Sequence, residues 1–143
     1  MRISTKGRYS LEALLYLALL EPGDYASTRT IALETRLSEG YLEQLFIPLR
    51  KAHLVHGIRG PQGGYTLEKS PAEVKVSDIL RAVEGPLSPV DCVDSVVCPF
   101  KDECRSRYTW AELYETIVSY TESVSLQNLA DAYRAMDMIE YTI

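Results

Sequence analysis

Residues 27–50 read STRTIALETRLSEGYLEQLFIPLR, and residues 54–67 read LVHGIRGPQGGYTL. Ser27 has the side chain to cap a short helix carrying Ile31, Ala32 and Leu33. The pattern pauses at Arg36-Leu37, and Ser38 then opens another helix with Glu39 in its first turn, where the helix dipole favours an acid. Leu42, Leu45, Phe46 and Leu49 recur at helical spacing and predict one buried face. Two short helices joined by a tight turn make a helix-turn-helix pattern, for which the plain alternative is a helical hairpin. Pro48 removes one backbone bond and predicts a kink near Gln44, beyond the first turns of the helix. Leu54 to Ile58 reads as a strand, Arg59 to Gly64 as a turn and Tyr65 to Leu67 as the returning strand. A hairpin directly after a helix-turn-helix is a wing. Its glycines let backbone approach a phosphate closely, and Arg59 is the residue type that enters a narrow minor groove.

Upstream, Ser4 or Thr5 opens a helix whose stripe is Leu11, Leu14, Leu15, Ala18 and Leu19, ended by Glu21-Pro22-Gly23-Asp24. Downstream, Ser70-Pro71-Ala72-Glu73 has the form of a helix start, and Val76 to Glu84 continues to a stop at Gly85-Pro86. Residues 86–104 read as a loop holding all three cysteines. A long element from about Cys104 to Val124 carries Trp110, Leu113, Tyr114, Ile117, Val118, Thr121 and Val124 in one stripe. Either it packs within the chain or it joins two copies, and the second is preferred because a winged module already has its own core. A final helix beginning at Ser125-Leu126 places Leu129, Tyr133 and Met136 on one side.

At 143 residues, with 46% hydrophobic and 24% charged residues, the chain has the length and composition of one globular domain with an appendage. The longest apolar run, Ala13 to Leu20, is too short to span a bilayer, and the first residues lack the order of a signal peptide. The expected location is the cytoplasm, with no membrane partner. The net charge of −5 conceals an asymmetry. Residues 1–65 hold eight lysines and arginines against six acids, whereas residues 66–143 hold seven against fourteen. A basic half is a cue for nucleic acid.

Cys92, Cys98 and Cys104 are spaced C-x5-C-x5-C, unlike a zinc-finger hook or a thioredoxin-like CxxC. An odd, clustered set fits a reducing compartment with metal or redox chemistry better than a disulfide framework. Soft sulfur ligands suit zinc, Cu(I) or an iron–sulfur cluster, and a fourth position must be filled by something else. The plain alternative is three unrelated free thiols. His53 and His56 are far along the chain from the cysteines, and no nucleophile–base pair is visible, so an enzyme is not expected.

With these elements in view, the chain resembles the small winged-helix repressors of the IscR/NsrR/CymR family, most of all the iron–sulfur members of the IscR type. The resemblance rests on residues 2–9, on YLEQLF at 41–46, on RGPQGGY at 59–65, on VSDILRAVEG at 76–85 and on the cysteine triad. It implies a mainly α fold with a small β-wing, a winged helix-turn-helix followed by a long C-terminal dimerisation helix. The expected divisions are a DNA-binding domain at 1–67, connecting helices at 68–85, a cluster loop at 86–104, and dimerisation and C-terminal helices at 105–143. It further implies a homodimer on a palindromic double-stranded operator, with an iron–sulfur cluster on Cys92, Cys98 and Cys104, [2Fe-2S] ahead of [4Fe-4S]. Arg107 stands where IscR-like proteins place a histidine ligand, and Arg8 where some NsrR-like proteins place an aspartate. Arginine stays protonated and does not ligate, so Asp91, Asp94, Asp102, Glu103 or an external thiol are left for the fourth position.

The expected DNA-contacting set follows. Ser38, Gly40, Tyr41 and Gln44 face the major groove, where Gln44 has the atoms to pair with adenine. Glu43 accepts from cytosine N4 and, by the resemblance, tunes discrimination between operator classes. Arg59, Gly60, Pro61, Gln62 and Gly63 approach the minor groove, and Arg2, Lys6 and Arg50 hold phosphates. Two other functions stay open: a metal-free thiol redox switch on the same DNA-binding module, and a small metal-dependent enzyme or electron carrier.

Overall fold

A computed structural model describes residues 2–94 and 103–142. The elements are α1 (Thr5–Leu19), α2 (Thr28–Thr35), α3 (Glu39–Lys51), β1 (Val55–Ile58), β2 (Gly64–Leu67), α4 (Val76–Glu84), α5 (Asp91–Asp94), α6 (Arg107–Ser123) and α7 (Leu126–Thr142). The described residues are mainly helical, with one two-stranded sheet. The strands pair antiparallel in the register Val55↔Leu67, His56↔Thr66, Gly57↔Tyr65 and Ile58↔Gly64.

Local chemistry explains the helix-turn-helix. The Ser27 and Ser38 hydroxyls accept the backbone N–H groups of Thr30 and Tyr41, satisfying donors that a helix start leaves open. Between them Arg36 is left-handed at φ 60°, and the Leu37 N–H returns to the Ala32 carbonyl, closing a Schellman-type turn. The helix α3 continues without a break through Pro48. Leu33, assigned to the apolar set of α2, is 73% exposed, so Ile31 and Ala32 carry the burial of that helix.

The core is built from Leu14, Ile31, Leu42, Leu45, Phe46, Leu49, Leu54 and Val55, joined by Val74, Ile79 and Leu126. The buried face of α1 differs from the predicted stripe. Gly7, Ser10, Ala13, Leu14, Leu17 and Ala18 face inward, while Leu11, Leu15 and Leu19 are half-buried. The cause is the close approach of α4. A β-carbon on Gly7 would lie 2.6 Å from Glu84 Oε1 and 3.2 Å from Leu80.

The start of α1 is also capped differently from the expectation. The Ser4 hydroxyl makes no cap bond to its own helix. Instead Glu84, at the end of α4, accepts from the Ser4 N–H at 3.0 Å, the Gly7 N–H at 3.1 Å and the Ser4 hydroxyl. A carboxylate at a helix N-terminus satisfies its open donors and suits its dipole.

The predicted helix at Ser70-Pro71 makes a single turn, and α4 begins at Val76 with Asp78 accepting the Lys75 N–H. The chain is held extended between them. The Val76 N–H donates to Val124 and the Leu126 N–H to Val74, around the bridge Lys75↔Ser125. That long-range pairing commits backbone groups a continuous helix would need. Gly85, at φ 85°, ends α4 in a conformation that side chains resist.

Helices α6 and α7 bury little. Within the α6 stripe Thr121 is buried and Leu113 is exposed. Tyr108 and Tyr120 also face outward. On α7, Leu126 and Ala130 are buried and Leu129 is half-buried, while Tyr133 and Met136, on the side expected for them with Leu129, are exposed in the single chain.

Ser10 is fully buried on α1, and its hydroxyl has no hydrogen-bond partner among the described residues. Ser10→Ala is therefore expected to stabilise the fold by about 1 kcal/mol, since it removes an unsatisfied polar group and improves helix propensity. A rise in the urea midpoint with unchanged slope is the check, and a lower midpoint would contradict the assigned burial.

Candidate nucleic-acid interface and cysteine site

The core-facing residues of α3 are Leu42, Leu45, Phe46 and Leu49, which turns Gly40, Glu43, Gln44, Ile47 and Arg50 to the exposed side. Ser38 serves as the cap and is itself exposed. Tyr41 is half-buried. Its hydroxyl lies 3.4 Å from Thr5 Oγ1, and its ring meets Tyr9 edge-on at 5.8 Å. This contact brings the first turn of α1, with exposed Lys6 and neighbouring Arg2, beside the start of α3.

At the other end of α3, Phe46 stacks on Tyr65 of β2 at 4.2 Å and an interplanar angle of 13°. The same Tyr65 exchanges backbone hydrogen bonds with Ala26, in front of α2. The wing is thus tied to both helices of the helix-turn-helix. Arg50 and Arg59 line one groove between α3 and the wing, together with Thr28, His53 and His56. The sequence reading had selected the two arginines and missed Thr28 and His56. The recoverable signal was position, because Thr28 opens α2 and His56 alternates with buried Val55 in β1. His53 Nδ1 lies 3.6 Å from Glu68 Oε1, with the histidine side chain 76% exposed.

The wing glycines have structural reasons of their own. Gly60 has φ 110°, and Gly63 N–H closes the turn onto its carbonyl at 3.0 Å. A β-carbon on Gly63 would overlap the Ile58 carbonyl, and one on Gly64 would overlap that of Ala26. Pro61 and Gln62 lie exposed at the tip beside Arg59 and Gly60.

Of the cysteines, Cys92 lies on α5 and Cys104 just before α6, both half-buried. Cys98 lies outside the described residues. Helix α5 lies against α6, which brings the element carrying Cys92 to the one that Cys104 precedes. Among the described residues no three His, Cys, Asp or Glu side chains gather as a metal site.

Cys104 has the surroundings of a thiolate. Its sulfur lies 3.6 Å from the Ser106 hydroxyl, which in turn accepts the Trp110 indole N–H at 3.0 Å. The Ser106 side chain, then the Ser106 backbone N–H, then the Arg107 N–H and charge hold this thiol below its ordinary pKa. Arg107, which does not serve as a ligand, favours the anion by its charge. Sulfur as an anion is the form that binds soft metals, so the donor set present fits such a group in chemistry.

Comparisons with known proteins identify the relatives of this chain. The Rrf2 family, described as "Iron-dependent Transcriptional regulator", matches residues 3–132. The regulator CymR of Bacillus subtilis is 40% identical over 91% of this chain and 90% of its own length. The regulator IscR of Photorhabdus laumondii is 34% identical over 96% and 84%. Among solved structures, CymR of B. subtilis, titled its global cysteine regulator, superposes with a TM-score of 0.79 at 40% identity, covering 92% of this chain and 98% of that one. T. potens IscR does so with a TM-score of 0.75 at 36% identity, covering 94% and 90%.

Proposed function

The chain belongs to the Rrf2 family and is a DNA-binding transcriptional regulator, not an enzyme; from that premise we propose that its operator binding is governed by an iron–sulfur cluster held by Cys92, Cys98 and Cys104. The observation that carries this reading is the seat of Cys104, whose sulfur meets a hydroxyl and helix-start N–H groups that favour the thiolate. When bound, such a group supplies a ligand sphere sensitive to oxidants and to iron supply. The residues of the chain do the rest.

Gln44 and Glu43 read base edges in the major groove from the exposed side of α3, with Gly40 and Ile47 along the same face. Arg59 enters the minor groove, while Arg2, Lys6 and Arg50 neutralise phosphates. A second copy of the chain covers the apolar residues left open on α6 and α7, and two-fold symmetry sets two wings on a palindrome. The segment between Gly85 and Cys104, which carries α5, joins α4 to the dimer helix in sequence, so its ligation state biases how the two heads are spaced.

Arg59→Ala is expected to weaken operator binding by about 1–3 kcal/mol, the range for a lost groove contact. Competition gel shifts at moderate salt measure it, and unchanged affinity removes the wing from the interface.

The test of the cluster is anaerobic purification of the native chain with iron and sulfide counts. A coloured protein that turns colourless on Cys98→Ala supports the reading, and the spectrum then distinguishes [2Fe-2S] from [4Fe-4S]. A colourless protein carrying stoichiometric zinc overturns it. A second reading has a specific basis: a related regulator, Staphylococcus aureus CymR, has been solved in an oxidised form, at 34% identity and a TM-score of 0.73. In that reading the low-pKa Cys104 acts as a metal-free redox switch. Its signature is a defined disulfide in oxidised protein without iron.

A further inference from the structure

The motif Cys104-x-Ser106-x-x-x-Trp110 places three polar groups in series. Trp110 and Ser106 are four residues apart, so they share one face across the first turn of α6. The indole N–H is a donor only, and it donates to Ser106 Oγ at 3.0 Å. The hydroxyl keeps one proton of its own. A thiolate has no proton to give, so against the anion that hydroxyl proton is the one available to the sulfur 3.6 Å away. Ser106 is exposed, so its packing does not account for this geometry. Trp110 is half-buried and anchored on α6, which gives the chain of bonds a fixed end.

We infer that Ser106 is a positioning residue whose hydroxyl, oriented by Trp110, donates to the Cys104 sulfur and tunes the iron–sulfur site. The inference rests on the reading that Cys104 is a ligand. Hydrogen bonds to ligating sulfur stabilise the more negative, reduced state and raise the reduction potential. Outer partners also orient the ligand they touch. Ser106 therefore helps set the potential at which the regulator responds, without contacting DNA or iron.

The test uses the full chain in two states. Trp110 is the only tryptophan in the sequence, so the cluster-free protein labelled with 15N gives one indole resonance. That resonance is expected to move upfield in Ser106→Ala and to return in Ser106→Thr. The same proteins, reconstituted anaerobically with ferrous iron and sulfide, are then titrated against redox mediators under visible circular dichroism. Ser106→Ala is expected to shift the midpoint to more negative potential. Trp110→Phe is expected to shift it the same way by less, because the hydroxyl survives but is no longer held. Ser106→Thr is expected to restore it.

An unchanged midpoint in Ser106→Ala at equal iron content overturns the inference while leaving the cluster reading intact. An indole resonance that ignores Ser106→Ala overturns the relay itself. A parent protein that takes up no iron overturns the cluster reading and, with it, this one. Iron lost from Ser106→Ala and regained in Ser106→Thr supports the same assignment.

Discussion

Gly64→Ala is expected to cost about 2–4 kcal/mol of stability, through loss of buried backbone hydrogen bonds and packing. The added methyl group would overlap the Ala26 carbonyl and stand 2.8 Å from Ser27 Cα. Both obstacles are backbone, and neither yields by a rotamer change. The paired bonds between Ala26 and Tyr65, at 3.1 and 2.8 Å, must open to admit it. The wing then separates from the start of α2, and Arg59 loses its placement. Operator affinity is expected to fall about tenfold or more, about 1.4 kcal/mol for each decade. Gly60→Ala is the control. Its φ of 110° resists a side chain, but nothing lies within 4 Å of the new methyl group. Its cost is expected to be about 1 kcal/mol. Urea unfolding and gel shifts on both variants check the pair. A Gly64→Ala protein as stable as its parent would contradict the wing's attachment.

Phe46→Ala is expected to cost about 3–5 kcal/mol, the usual range for truncating a buried aromatic residue. Phe46 is 1% exposed and stacks on Tyr65. Its loss leaves a cavity between α3 and the hairpin. Because that variant approaches the whole stability of a small domain, Phe46→Leu provides the functional measurement. Leucine refills much of the volume, at about 1–1.5 kcal/mol, but it cannot stack. The expected phenotype is a folded protein with weakened minor-groove protection in footprints and major-groove protection largely kept. Equal loss in both grooves would mean that the stack does not set the angle of the wing.

The parts of the fold legible in the sequence were those governed by near neighbours. Ser27 and Ser38 act through the backbone three residues on, and the turn at Arg59 to Gly64 closes on itself, so their types declare their roles. What escaped was settled by residues far along the chain. Glu84 reaches back 80 positions to cap α1, and Val74 pairs with Leu126, cancelling a strong local start at Ser70. The inward face of α1 was misjudged because Gly7, Ser10 and Ala13 pack closely without being hydrophobic enough to register. At the candidate site, the exposed face of α3 and the cysteine spacing could be read directly. The Ser106–Trp110 pair also lies at helical spacing, but a serine draws no notice until its contact with the Cys104 sulfur is seen.

The helix-turn-helix does not complete its own core. Leu126 is fully buried within the same cluster as Leu14 and Ile31, and Leu129 packs against it. During synthesis the first helices leave the ribosome early, as N-terminal segments do, yet their apolar surface stays unfinished until α7 has emerged. A nascent chain stalled after the wing would carry every proposed base-reading side chain on an incomplete scaffold. Competence to bind an operator is therefore expected only once α7 has been translated and can pack on the first helices.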